Sequence, residues 1–136
     1  MLNVDVADRL VIVVGCGPAG QEKVDRLLAA GARIRVVDPN PPADLDSRVE
    51  IVEHAVEVDE ATSDWLDDAW LVVAATGRPA VDEWVQATAE ARATWVVRAD
   101  RSDGGGVSFA ATIEQPPVVV GVTTGGSSPT LARWLR

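Results

Sequence analysis

The chain is expected to fold as one α/β domain on a parallel sheet, and three features of the sequence lead there. Its 136 residues suit a single domain with a buried core. Apolar runs of strand length alternate with amphipathic runs of helix length. The first apolar run, Leu10–Val14, stops at the turn Gly15-Cys16-Gly17-Pro18-Ala19-Gly20, from which a helix-compatible segment departs. The full expectation is a Rossmann-like, doubly wound parallel sheet with an additional C-terminal β-hairpin and short helix.

Each element has its own local reason. Leu10–Val14 reads as the first strand. A helix from Ala19 to Ala30 presents Val24, Leu27 and Leu28 on one face and stops at Gly31. Arg33–Val37 is the second strand. Asp38-Pro39-Asn40-Pro41-Pro42 follows as a stiff loop, because proline cannot continue a ladder. Val49–Val52 is a short third strand, and the acidic stretch from Glu53 to Asp68 holds a helical turn. Trp70 to Gly77 is a buried strand ending in a loop. Pro79 to Arg92 is a helix opened by proline, and Thr94–Val97 is the fifth strand. Asp103-Gly104-Gly105-Gly106 is a flexible turn. Ser108–Ile113 and Val118–Val122 are two further strands joined by Glu114-Gln115-Pro116-Pro117. The loop Thr123 to Pro129 then leads into a helix from Thr130. Residues 1–113 form the Rossmann-like domain of this scheme. Residues 114–136 form a terminal strand, a Gly-Ser loop and a helix start.

Gly15, Gly17 and Gly20 reproduce G-x-G-x-x-G at a strand-to-helix turn, where each glycine has a task. The first permits the tight turn, the second lets a pyrophosphate approach the backbone, and the third lets helix and strand pack closely. Free N–H groups and the helix dipole would then face the phosphates, with Pro18 and Ala19 inside the same turn. Asp38 follows the motif by about 20 residues, where a carboxylate can bind the adenosine ribose. It accepts hydrogen bonds from a 2′-OH and repels a 2′-phosphate, so NAD is expected rather than NADP. Pro39 and Asn40 would border the adenosine. Ala75, Thr76 and Gly77 end the fourth strand and would line the nicotinamide-side ribose.

Composition removes several alternatives. The net charge is −9, with 21 acidic residues against 12 basic ones. That balance argues against nucleic acid or an anionic membrane as partner. No apolar run reaches the roughly 20 residues of a membrane span. The start, Met1 to Arg9, lacks the pattern of a signal peptide. Cys16 is the only cysteine, so no disulfide framework or cysteine-based zinc site is expected, and no metal site is predicted. A reducing cytoplasm fits. Cys16 itself reads as a small packed residue. His54, the only histidine, reads as a surface residue. The five tryptophans read as core or interface residues.

Four separated motifs resemble the NAD-dependent precorrin-2 dehydrogenases of sirohaem biosynthesis, including the amino-terminal module of bifunctional sirohaem synthases. They are the Gly15–Gly20 turn with Lys23 and Leu27 to Ala32; Ala74-Ala75-Thr76 with Val81; Val96 to Asp100; and Thr123 to Pro129 with Leu131-Ala132-Arg133 and Arg136. The resemblance implies oxidation of precorrin-2 to sirohydrochlorin, with hydride and protons lost and NAD as acceptor. It makes Asp100 the candidate general base, and in members with chelatase activity this position assists metal insertion. Thr124, Gly125, Gly126, Ser127 and Ser128 offer hydroxyls and N–H groups at a helix start, an anion site for a substrate rich in carboxylates, with Arg133 able to pair with the same groups. The resemblance also implies a homodimer, with the Ser108–Val122 hairpin as the natural contact. Relative to the family, a continuation into a helical segment is missing after Arg136.

The chain departs from the family at chosen places. Cys16 stands inside the glycine turn and Glu22 precedes Lys23 where a basic residue is usual. Gly77 and Arg78 replace an acidic pair, Asp82 replaces an asparagine, and Arg98 and Ala99 replace apolar residues before Asp100. Two other readings compete with the enzyme. One is a nucleotide-sensing regulatory domain, which shares the glycine start but does not predict the Thr123–Pro129 segment. The other is a paralogue that binds ligand without turnover.

Overall fold

The structure is a computed structural model that describes residues 1–101 and 106–125, with Thr130 and Trp134. Five parallel strands form one sheet: β1 (Leu10–Val14), β2 (Arg33–Asp38), β3 (Glu50–Glu53), β4 (Leu71–Ala74) and β5 (Trp95–Arg98). Their spatial order is β3-β2-β1-β4-β5. The chain therefore starts in the middle, winds outward to β3, and returns to the other side of β1. The order reverses between β1 and β4, which opens a crevice at the carboxyl ends of those strands.

Helix α1 (Pro18–Ala29) joins β1 to β2, and α2 (Pro79–Glu90) joins β4 to β5. The two helices cover opposite faces, and the strand period of two sets which residue meets which helix. Val11 and Val13 belong to one core with Val24 and Leu27 of α1. Leu10, Ile12 and Val14 belong to the other with Val81, Val85 and Ala89 of α2. This is why β1 is apolar at every position and buried throughout. A second, antiparallel sheet pairs β6 (Ala111–Gln115) with β7 (Val118–Val122). Thr130 and Trp134 are helical.

The structure moves several expected boundaries. α1 begins at Pro18, because proline suits a first helical position that has no N–H to donate. β3 lies one residue later than expected, and β4 is confined to four residues. β6 starts at Ala111 rather than Ser108 and takes in Glu114 and Gln115, leaving Pro116 and Pro117 as the turn. The preceding segment is held elsewhere. Lys23 Nζ and the Arg26 guanidinium lie 4.8 and 4.9 Å from the centre of the Phe109 ring. Arg26 also donates to the Ala110 carbonyl at 3.3 Å. Phe109 thereby seals the α1 face of the core rather than entering a strand.

The acidic stretch after β3 contains one 3-10 turn, Asp64–Leu66, whose Trp65 and Leu66 are buried in the α2-side core. His54 and Glu60 staple this loop. His54 Nε2 lies 2.8 Å from Glu60 Oε1, and the Trp65 indole donates to Glu60 Oε2 at 3.1 Å. Trp70 and Trp95 pack with ring centres 5.2 Å apart, while Trp134 is exposed. Among the described residues no helix is long and apolar enough to cross a membrane.

Candidate functional site

A cleft of about 290 Å³ opens where β1, β4 and β5 end. Three of its walls come from the glycine turn, from the end of β2, and from the turns after β4 and β5.

The glycine turn is shaped by contacts that exclude side chains. Gly15 has φ +88°, and a Cβ there would collide with the backbone of Ala75 and Thr76. A Cβ on Gly20 would collide with the Gly15 carbonyl, so the first turn of α1 sits directly on the end of β1. At Gly17 the situation is opposite: no described residue lies within 4 Å of where a Cβ would stand. Gly17 is the N-cap of α1, no side chain caps the helix, and its first turn carries no acidic residue. The leading N–H groups of α1 thus have no side-chain cap among the described residues, at the positive end of the helix dipole.

Asp38 ends β2 and reaches this turn. Its Oδ2 accepts the Cys16 N–H at 2.7 Å, and its Oδ1 accepts the Asn40 N–H at 2.7 Å. Each oxygen keeps lone-pair capacity for a further donor. Asp38 is thus a brace between two loops as well as a cleft acid. Asn40 contributes its backbone to this brace, while neither Asn40 nor Pro39 lines the cleft. The Cys16 thiol is pushed up to about 11 by burial and, secondly, by the Asp38 charge, which makes it unreactive near neutrality.

The wall after β4 holds a buried acid that sequence reasoning did not place in the site. Asp82, in the first turn of α2, is fully buried. Its Oδ1 accepts both the Thr76 hydroxyl at 2.7 Å and the Thr76 N–H at 3.0 Å. Its Oδ2 is buried with no hydrogen-bond partner among the described residues. Asp82 fixes the Ala75-Thr76-Gly77 turn, and Gly77 has φ +72° with no described residue within 4 Å of where a Cβ would be. The available signal was positional, since Asp82 lies in the first turn of the helix that begins just after Thr76-Gly77.

Asp100 stands at the end of β5 and lines the same cleft. Arg98 grips it with two prongs, Nε to Oδ1 at 2.8 Å and Nη2 to Oδ2 at 2.7 Å. These bonds hold the Asp100 carboxyl below the usual carboxylate range, against the opposing effect of partial burial. The fold therefore gathers Gly15, Gly17, Pro18, Ala19, Asp38, Ala75, Thr76, Gly77 and Asp100 around one space, with Cys16, Asp82 and Ala99 added. Gly20 supports the turn from behind. Thr124 and Gly125 follow β7 and are not among the described cleft residues. Gly126, Ser127, Ser128 and Arg133 lie outside the described residues.

This geometry suits a dinucleotide, and a family model described as "Putative NAD(P)-binding" matches residues 2–111. The chain belongs to that NAD(P)-binding family. It is 36% identical over 129 residues to a "Siroheme synthase" of Tolumonas auensis, covering 95% of this chain and 27% of that protein. It is 34% identical over 132 residues to a "Siroheme synthase" of Mannheimia succiniciproducens, covering 97% of this chain and 28% of that one. The chain thus spans little more than a quarter of the length of these relatives. Its fold matches a solved structure described as "SirC, precorrin-2 dehydrogenase" with a TM-score of 0.81 at 22% identity, over 99% of this chain and 66% of that one. A Gly17 with no described residue within 4 Å of where a Cβ would stand, and a start of α1 without a side-chain cap, suit the pyrophosphate of a dinucleotide.

Proposed function

We propose that this chain is an NAD-dependent dehydrogenase that oxidises precorrin-2 to sirohydrochlorin. One observation carries the reading: Asp38 and Asp100 line a single cleft together with the glycine turn. One carboxylate is placed for a nucleotide ribose, and another is left for the reacting molecule.

Gly17 and the first N–H groups of α1 receive the pyrophosphate. Asp38 accepts from the adenosine ribose, and its charge disfavours a 2′-phosphate, so NAD is the cofactor. Thr76 and Gly77, fixed by Asp82, border the nicotinamide side. Bound NAD supplies a hydride acceptor. Asp100 faces the tetrapyrrole across the cleft as the catalytic carboxylate. Thr124 to Ser128 and Arg133 bind the substrate's carboxylates. Residues 1–113 serve the nucleotide and residues 114–136 the substrate and the partner subunit, in a cytoplasmic homodimer. The β6–β7 hairpin supports that division, because it forms a sheet of its own with Val118, Val119 and Val120 exposed.

The test is anaerobic incubation with precorrin-2 and NAD, following NADH absorbance and the tetrapyrrole spectrum. NADH formed together with sirohydrochlorin establishes the dehydrogenase. NAD binding without turnover favours a nucleotide sensor or a paralogue that has lost turnover, and binding of the tetrapyrrole separates those two.

A further inference from the structure

Arg98 is the residue of β5 that neither the sheet nor a nucleotide site calls for. Its side chain is 3% exposed, yet it carries a charge. It occupies a strand end where apolar Val96 and Val97 precede it. Burying a guanidinium is costly unless its charge and donors are matched. The match is Asp100, bound at 2.7 and 2.8 Å, with Gln86 of α2 accepting from Nη1 at 3.1 Å. Among the described residues, the other charges acting on this pair are Arg101 beside it and Asp82 and Glu83 on α2.

A fork that binds both carboxylate oxygens permits one orientation of the carboxylate. It also makes that carboxylate a reluctant proton acceptor. Protonating Asp100 would remove one prong and leave the buried guanidinium short of counter-charge. A carboxylate held this way suits a different task, which is to face positive charge that develops during reaction without being consumed by it.

We propose that Arg98 is a positioning residue that holds Asp100 at the cleft as a fixed anion, which stabilises the positive charge left on the substrate as hydride departs. The inference rests on the dehydrogenase reading above. In the step, a substrate C–H bond breaks and its electron pair leaves with the hydrogen to the oxidised nicotinamide. The substrate is left as a cation opposite Asp100. The second hydrogen then leaves as a proton to water, and Asp100 ends the step unprotonated.

The experiment compares Arg98→Met, Arg98→Lys, Asp100→Asn and the double variant Arg98→Met with Asp100→Asn, all in the full chain. NAD affinity is measured by calorimetry and turnover anaerobically with precorrin-2. The Asp100 carboxyl is titrated by carbon-13 NMR. Arg98→Met is expected to keep NAD affinity within about twofold while kcat falls about tenfold or more, with KM little changed. Arg98→Lys recovers part of the loss. In the Asp100→Asn background, removing Arg98 costs nothing further, because the two act as one unit. The carboxyl titrates at higher pH in Arg98→Met than in the parent chain.

Turnover of Arg98→Met equal to or faster than the parent overturns the proposal, since a freed carboxylate is the better base. An additional loss of the same size in the Asp100→Asn background also overturns it, and so does an unchanged carboxyl titration. A parent chain that binds NAD without oxidising precorrin-2 overturns the dehydrogenase reading and the charge-stabilising role with it. The titration then decides, independently, whether Arg98 positions Asp100.

Discussion

At the scale of single residues, the cleft is governed by how completely each buried polar group is matched. Asp82 has one oxygen used twice by Thr76 and another used by nothing among the described residues. Replacing it with asparagine keeps the acceptor for Thr76 and removes a buried charge. Its NH2 would nevertheless stand where Oδ2 finds no described partner, so Asp82→Asn is expected to lower the midpoint of thermal unfolding by less than Asp82→Ala does. Asp82→Ala strands the Thr76 N–H and hydroxyl and should cost about 1–3 kcal/mol in chemical denaturation. Equal stability of the two variants would show that the Thr76 bonds contribute nothing. Cys16 gives a second prediction. Its thiol titrates at about 11 when folded, above the 9.0 of a free thiol. A raised pKa contributes stability below the unfolded value and loses it as pH climbs through the folded one. Stability should thus decline between pH 9.0 and about 11, and Cys16→Ala should flatten that decline in melts across the range.

Elements add a second layer, because the turns are set by what packs on them. The start of α1 rests on the Gly15 carbonyl so closely that a methyl at Gly20 has no room. Gly20→Ala must push α1 away from β1, and overpacking of this kind costs about 1–3 kcal/mol. Because the leading N–H groups of α1 are the ones proposed above for the pyrophosphate, NAD affinity should fall with stability. Calorimetry and denaturation on the same variant test whether the two losses come together. The approach to the hairpin obeys a similar rule. Its apolar pattern from Ser108 suggests a strand, but Phe109 is drawn against Lys23 and Arg26, and β6 begins only where the backbone is free to pair.

The whole molecule is acidic, and its pH response follows from which carboxylates are matched. Asp100 is held down by Arg98, Glu57 by Arg78 and Glu22 chiefly by Lys23. Glu60 is held down by the Glu57 N–H, Trp65 and His54, against burial. Each has a folded pKa below its unfolded value, so each contributes stability above the unfolded carboxylate range and loses it as pH falls through the folded one. Urea midpoints should stay level near neutrality and drop below about pH 4, the unfolded range of these groups. A midpoint that rises on acidification would mean that relief of the −9 net charge outweighs these bonds.

Much of this protein is set by the sequence alone. Continuous apolar runs specify strands buried on both faces, and the Gly15–Gly20 spacing specifies a turn that few other residue types could make. Asp38 is legible because its distance from that turn is fixed by one helix and one strand. All of these depend on neighbours within about one βαβ unit, where local periodicity and steric limits are decisive. Only tertiary structure decided how the charges are matched. Arg98 meets Asp100 and Gln86, Asp82 braces Thr76, and Phe109 settles under two cations of α1. The Arg98–Gln86, Asp82–Thr76 and Phe109–Lys23 contacts link separate parts of the fold, and no period in the sequence states which buried charge will find which partner. Desolvation makes the pairing obligatory, but the packed fold chooses the pair.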